Sequence, residues 1–179
     1  LITKIETEIE GCYELQPIIR KDQRGSFTKT FHEEVFKKNN LVTKFAEEYY
    51  STSRKGVLRG LHFQTPPVEH EKMVYCVYGE VIDVAVDLRR QSSTYGKYRM
   101  INLNSEKGNI IYIPKGMAHG FYTVSDMAII MYKVTSVYVP QNDLGILWNS
   151  IGIPWIDKNP IMSERDKNFI EFKDFKSPF

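Results

Sequence analysis

GVLRGLHFQTPPVEHEKMVYCVYG, residues 56 to 79, is the stretch that sets the reading of this chain. Val57 to Phe63 alternates as a strand, which puts Arg59, Leu61 and Phe63 on one face and Leu58, Gly60 and His62 on the other. Gly60, without a side chain, leaves the neighbouring imidazole unobstructed. Thr65-Pro66-Pro67 ends the strand, because proline cannot continue a hydrogen-bonded ladder, and Lys72 to Tyr78 forms the next one. A hairpin of this kind lets His62 and Lys72 approach each other, so that a guanidinium, an imidazole and an ammonium face one cavity. On spacing alone, the commoner reading of a lone strand histidine such as His62 is structural, and Lys72 reads as an ordinary surface lysine.

Outward from this segment, strand signals recur about every ten residues from Lys44 to Phe121. They are punctuated by Lys55-Gly56, Pro66-Pro67, Gly79, Tyr95-Gly96, Lys107-Gly108 and Pro114-Lys115-Gly116. Such spacing predicts an antiparallel β-sandwich or barrel. Gly79 to Leu88 reads as a central strand on which Asp83 and Asp87 share a face, and Asn109 to Ile113 as another. Residues 2–10 and 13–19 predict two extended segments meeting across Gly11. Asp22 to Gly25 predicts a turn, and Ser26 to Phe31 a strand with Phe27, Lys29 and Phe31 on one face. His32 to Asn40 predicts a short helix, acidic in its first turn and basic in its last. Met127 to Tyr138 is a long apolar run centred on Tyr132. Past about residue 140 the strand pattern is lost, and Ser163 caps a short helical turn.

The 179 residues, 42% of them hydrophobic, suffice for one domain with a real core. Lys and Arg number 24 against 22 Asp and Glu, a formal charge of +2 that gives no nucleic-acid footprint. Cys12 and Cys76 lack metal-type spacing; Cys76, among tyrosines, reads as a buried thiol, and a reducing cytoplasm is the compartment expected. No apolar run approaches the roughly 18 residues of a membrane span, and none has signal-peptide character, so a soluble intracellular protein is expected.

LRGLHFQ (58–64), Lys72, GEVIDVAVDLRR (79–90), IPKGMAHGF (113–121), Tyr132-Lys133 and Pro160 to Asp166 together resemble the dTDP-4-dehydrorhamnose 3,5-epimerase family over nearly the whole chain, from about Gly11 to Asp166. The resemblance implies an all-β, cupin-type jelly roll with short peripheral helices. It also implies a homodimer with exchanged N-terminal strands, no metal or other cofactor, and epimerisation of a nucleoside-diphosphate-linked 4-keto-6-deoxy sugar. By matching motif, His62 is the base, Asp166 the carboxylate that orients it, Lys72 the partner of the C4 oxygen and Tyr132 the acid. Arg59 and Arg24 resemble the residues that hold the diphosphate, and Arg24 and Phe27 would serve the neighbour's site. His119 and, behind it, Asp83 match the pocket floor; Lys29, Glu47, Tyr49, Gln64 and Tyr138 fall at substrate-facing positions.

The chemistry asks for these residue types independently. A C–H beside a ketone is about a dozen pK units less acidic than imidazolium, a gap of roughly 16 kcal/mol. A fixed positive charge at the developing enolate oxygen supplies much of that difference, which suits Lys72. Inversion also needs a base and an acid on opposite faces of the sugar, which suits His62 and Tyr132. As a local reading, Tyr132 is also a good core tyrosine, Asp166 a helix cap and His119 a structural histidine bonded to Asp83.

Where relatives usually carry Glu, Gln and Asn, this chain has Lys29, Glu47 and Tyr49. The base therefore stays open between thymidine and guanosine, a GDP-linked 4-keto-6-deoxyheptose being the second substrate class, with Glu47 facing the N1 and N2 donors of guanine. Three other classes compete. A metal cupin needs converging histidines, but Gln64 stands where its second histidine falls and His70, in the proline-bounded turn, is expected to be solvated. A sugar-nucleotide 3,4-ketoisomerase would use similar enolisation, and a non-catalytic sugar-binding jelly roll would not need His62, Lys72 and Tyr132 together.

Overall fold

In a computed structural model that describes residues 1–179, the chain forms two face-to-face antiparallel sheets and a separate hairpin. The six-stranded sheet contains β1 (Ile2–Glu6), β2 (Tyr13–Pro17), β5 (Glu47–Arg54), β7 (Lys72–Tyr78), β10 (Ile110–Ile113) and β12 (Met127–Val134), in the order β1-β2-β10-β7-β12-β5. The five-stranded sheet contains β6 (Leu58–Gln64), β8 (Glu80–Asp87), β9 (Tyr98–Asn104), β11 (Met117–Thr123) and β13 (Asp143–Gly145), in the order β13-β6-β11-β8-β9. The hairpin is β3 (Ile19–Asp22) with β4 (Gly25–Thr28). Alternation puts Val74, Cys76, Val81, Ala85, Leu103, Phe121, Ala128 and Ile130 into the core between the sheets. The strand spacing predicts this antiparallel sandwich, and the family resemblance its jelly-roll form.

The outer faces are covered unequally. Helix α1 (Glu33–Lys38) buries Phe36 against Leu15, Met73, Tyr75 and Ile110 at one end of the six-stranded sheet. The tail lays Phe172, Phe175 and Phe179 over Leu61, Phe63, Val84 and Val86 of the other sheet. Helix α2 (Glu164–Lys167) is capped by Ser163, whose hydroxyl accepts the Asp166 N–H. Cys12 and Cys76 are buried free thiols, and no helix is long and apolar enough to cross a membrane. The strand expected over Ser26 to Phe31 stops at Thr28, because Phe31 turns inward to pack edge-on against Phe36 and Phe45.

Two expectations for the central stretch are corrected. β6 and β7 do not pair; Pro66-Pro67 carries the chain from one sheet to the other, so His62 and Lys72 belong to facing sheets. The simple alternation along β6 also fails. Its register with β11 slips by one residue between the pairs His119–His62 and Phe121–Arg59, a bulge that turns Arg59 onto the same inner face as His62. Leu61 and Phe63 point outward instead.

Glycine makes the bulge possible. Gly60 has a φ of +130°, and a Cβ there would lie 2.6 Å from the Gly120 Cα of the adjacent strand. Gly60→Ala is therefore expected to lower the unfolding free energy by about 1–3 kcal/mol and to misplace Arg59 relative to His62. Urea denaturation with parental stability would contradict this.

Candidate active site

β6 presents Arg59, His62 and Gln64 to the space between the sheets. The His62 imidazole lies 2.8 Å through Nε2 from Asp166 Oδ1, while Asp166 Oδ2 accepts the Gly60 N–H at 3.0 Å. One carboxylate thus holds both the bulge and the imidazole. Burial pushes the Asp166 carboxyl up, but hydrogen bonds and charge from His62, with the Gly60 and Ser163 bonds, outweigh it and hold the group below its ordinary value. An ionised Asp166 accepts a hydrogen bond from Nε2–H, which leaves the Nδ1 lone pair free to act as a base.

Sequence gave no signal for a further contact on this imidazole. The Phe169 ring meets it edge-to-face at 5.6 Å, and the Arg165 guanidinium lies 5.2 Å from the Phe169 centroid. Gly145, paired with His62, makes room: a Cβ there would come within 2.2 Å of the Phe169 ring. Arg165 also forms an ion pair with Asp143 at 2.8 Å.

The facing sheet supplies the other polar groups. Tyr132 on β12 is buried, shares a 3.0 Å hydrogen bond with Ser51 of β5 and stacks on Tyr49 at 4.8 Å. Burial pushes its phenol well above the ordinary tyrosine value, so it stays protonated and can give up a proton only to a strong base such as an enolate. Arg59 bridges the sheets, donating from Nε to Ser53 Oγ at 3.0 Å and from Nη2 to the Thr52 carbonyl at 3.1 Å. On the floor His119 and Asp83, both buried, lie 2.8 Å apart, and His119 meets Tyr132 edge-on at 6.3 Å.

Lys72, at the start of β7, is buried with no carboxylate within 4 Å of its ammonium. Desolvation lowers its pKa to about 8, against the opposing pull of Asp143 and Asp83. It lines a cavity of about 340 Å³ together with Glu47, Tyr49, Phe63, Gln64, His70, Val134, Tyr138 and Asp143. The Tyr138 N–H donates to Glu47 Oε1 at 2.9 Å. Lys72 is the one member of the expected catalytic quartet that lines this hollow; Gln64 and Tyr49 connect it to His62 along β6 and to Tyr132 by stacking.

The remaining expected residues lie elsewhere. Arg24 and Phe27 are exposed on the β3–β4 hairpin, where Arg24 is held by Asp22 at 2.6 Å, and Lys29 is exposed just beyond it. They line a separate hollow or none, and within one chain do not join the Lys72 cavity. His70 is not solvated as expected; it lines the cavity, in contact with Gln64 and Ser136. Asp143, beyond the last long strand, had no distinguishing sequence signal. His62 and His119 are each engaged by their own carboxylate, and no three His, Cys, Asp or Glu side chains gather as metal ligands.

A carboxylate-oriented imidazole on one sheet, a buried phenol on the other and an unneutralised ammonium beside a cavity define a jelly-roll enzyme built for proton transfer next to a carbonyl. Residues 6–174 match the family model described as dTDP-4-dehydrorhamnose 3,5-epimerase, and the chain belongs to that isomerase family. It is 42% identical to the dTDP-4-dehydrorhamnose 3,5-epimerase of Shigella flexneri, over 95% of this chain and 96% of the relative. The enzyme of the same name from Methanothermobacter thermautotrophicus is also 42% identical, over 92% and 91%. A dTDP-6-deoxy-D-glucose-3,5-epimerase from Legionella pneumophila, solved with dTDP-4-keto-L-rhamnose, superimposes with a TM-score of 0.94 at 33% identity, covering 98% of this chain and 95% of that one.

Burial of Lys72 makes the stability of the fold depend on pH. Its folded pKa of about 8 lies below the unfolded lysine value of about 10.4, so protonation opposes folding. The penalty, roughly 3 kcal/mol, is full below about pH 8 and is relieved as pH rises toward 10.4. Lys72→Met is expected to be more stable than the parent at pH 7, with the difference shrinking through that window, and to lose activity. In the parent, kcat/KM is expected to fall above about pH 8. Equal stabilities at pH 7 in urea titrations would refute this account of the lysine.

Proposed function

We propose that this protein inverts C3, C5 or both centres of a nucleoside-diphosphate-linked 4-keto-6-deoxy sugar through enolate intermediates, in the synthesis of surface-polysaccharide sugars. The observation that carries the reading is the placement of His62 and Tyr132 on facing sheets with Lys72 unpaired. His62 Nδ1 removes the proton beside the ketone; the Lys72 ammonium takes up charge developing on the C4 oxygen; Tyr132 returns a proton to the opposite face. Asp166 holds the imidazole tautomer, Arg59 meets the diphosphate, and His119 with Asp83 forms the floor. Metal, other cofactor and nucleic acid have no part in this scheme.

The relatives' names favour thymidine diphosphate. Glu47 shares the cavity of Lys72 and Gln64, which suits contact with sugar hydroxyls better than with a guanine edge. A homodimer is part of the proposal: Tyr50, Val77, Tyr78 and Met127 leave an exposed apolar region on the six-stranded sheet, and the β3–β4 hairpin carries exposed Phe27 and Arg24. In such a dimer the hairpin reaches the neighbour's site. Buried free thiols suit a reducing cytoplasm.

The test is proton NMR in deuterium oxide with dTDP-4-keto-6-deoxyglucose and, separately, a GDP-linked 4-keto-6-deoxyheptose. Deuterium is expected at C3, C5 or both of one substrate, and exchange is expected to fall at least about 100-fold in His62→Asn. Tyr132→Phe is expected to retain exchange better than inversion, since it removes the acid and leaves the base. No exchange with either substrate would reject the proposal, and carbonyl migration to C3 would favour a ketoisomerase.

A further inference from the structure

We propose that His70 determines sugar specificity in this site: its Nε2 accepts a hydrogen bond from a hydroxyl of the keto sugar that Lys72 engages. The inference rests on the reading of the Lys72 cavity as a keto-sugar site, and it concerns a residue outside the quartet that performs the chemistry.

Counting hydrogens assigns the nitrogen. The Ser136 hydroxyl has a single proton, directed to the Val68 carbonyl at 2.7 Å. The Gln64 amide has two, directed to the carbonyls of Val68 at 2.9 Å and Val137 at 3.1 Å, while its Oε1 accepts the Val139 N–H at 2.7 Å. Neither group has a proton left for His70 Nδ1, which lies 3.3 Å from both Gln64 Nε2 and Ser136 Oγ. The consistent assignment makes Nδ1–H the donor to Ser136 Oγ and leaves Nε2 with a lone pair. Nε2 is buried and has no partner in the protein. A bare buried acceptor is unfavourable and calls for a ligand or a water.

The surroundings say what kind of ligand. Desolvation, with the nearby Lys72 and His119, lowers the His70 pKa to about 3, so the ring is neutral at working pH: an acceptor too weakly basic to take the proton. Glu47 and Asp143 add carboxylate acceptors to the same wall, and Lys72 is its cation. A wall with several acceptors and one strong cation complements a ligand that offers several hydroxyl protons and one electron-rich oxygen, which is the pattern of a hydroxylated keto sugar. A site that hydrogen-bonds a substrate hydroxyl rejects analogues lacking it far more strongly than a greasy pocket rejects a methyl group.

The experiment compares His70→Leu, which removes the acceptor, with His70→Gln, which can restore one, using the deuterium-exchange assay on the substrate the parent accepts. Binding of the matching nucleoside diphosphate, dTDP or GDP, is measured on each. His70→Leu is expected to raise KM for the sugar nucleotide about 10-fold or more with diphosphate affinity unchanged, and His70→Gln to recover most of the loss. A parental KM in His70→Leu, or loss of diphosphate binding in parallel with KM in both variants, would overturn the inference. Absence of exchange in the parent itself would instead reject the keto-sugar reading beneath it.

Discussion

One carboxylate joins the parts of this structure that have to act together. Asp166, brought in by the C-terminal segment, accepts from the Gly60 backbone and the His62 imidazole, which lie more than a hundred residues earlier in the chain. The first contact secures the bulge that turns Arg59 inward; the second orients the imidazole proposed as the base. Taking a carboxylate out of water costs several kcal/mol, and the interaction is favourable only when its oxygens are well bonded. Asp166 meets that condition with a backbone donor on one oxygen and an imidazole on the other. The tail is held in register by bridges from Val57 to Ile161 and from Ile146 to Ile170, on either side of the segment that carries it.

The site contains two histidine–carboxylate pairs of equal length and unequal access. His62 keeps 30% of its side chain exposed beside a nearly buried Asp166, whereas His119 and Asp83 are 4% and 0% exposed. Both pairs orient an imidazole, but only the first leaves a substantial part of its ring accessible; the second is a buried floor. Lys72 shows the opposite economy: it is buried without an ion-pair partner, and the fold bears that desolvation. An ammonium neutralised by a salt bridge would be more stable and less able to take charge from an enolate. The cost in stability and the proposed use in catalysis have one cause.

Much of this was legible in the sequence, for reasons that can be stated by residue. Strand spacing gave the sandwich, and the alternation of Val81, Asp83 and Ala85 put a carboxylate into its interior, because an unbroken strand obeys a period of two. His62, Lys72, Tyr132 and Asp166 stood out through a motif order shared with a family. The β6 bulge was not legible, since a period-two argument assumes a regular ladder and the close approach of Gly60 to Gly120, far along the chain, exists only once the strands pair. The false hairpin had a similar origin: Pro66-Pro67 ends a strand but does not say to which sheet the next belongs. His70 looked solvated because its partners Gln64 and Ser136, the latter far along the chain, enclose it only on folding.

The account depends most on which nitrogen of His62 carries the proton, and nitrogen-15 NMR of the imidazoles tests this directly. With four histidines in the chain, His62 can be assigned by comparison with His62→Asn. At a pH where the ring is neutral, the account predicts an Nε2–H tautomer bonded to Asp166, with Nδ1 unprotonated, and a loss of that preference in Asp166→Asn. A protonated Nδ1 in the neutral parent, or a tautomer indifferent to Asp166→Asn, would contradict the base and its orientation together.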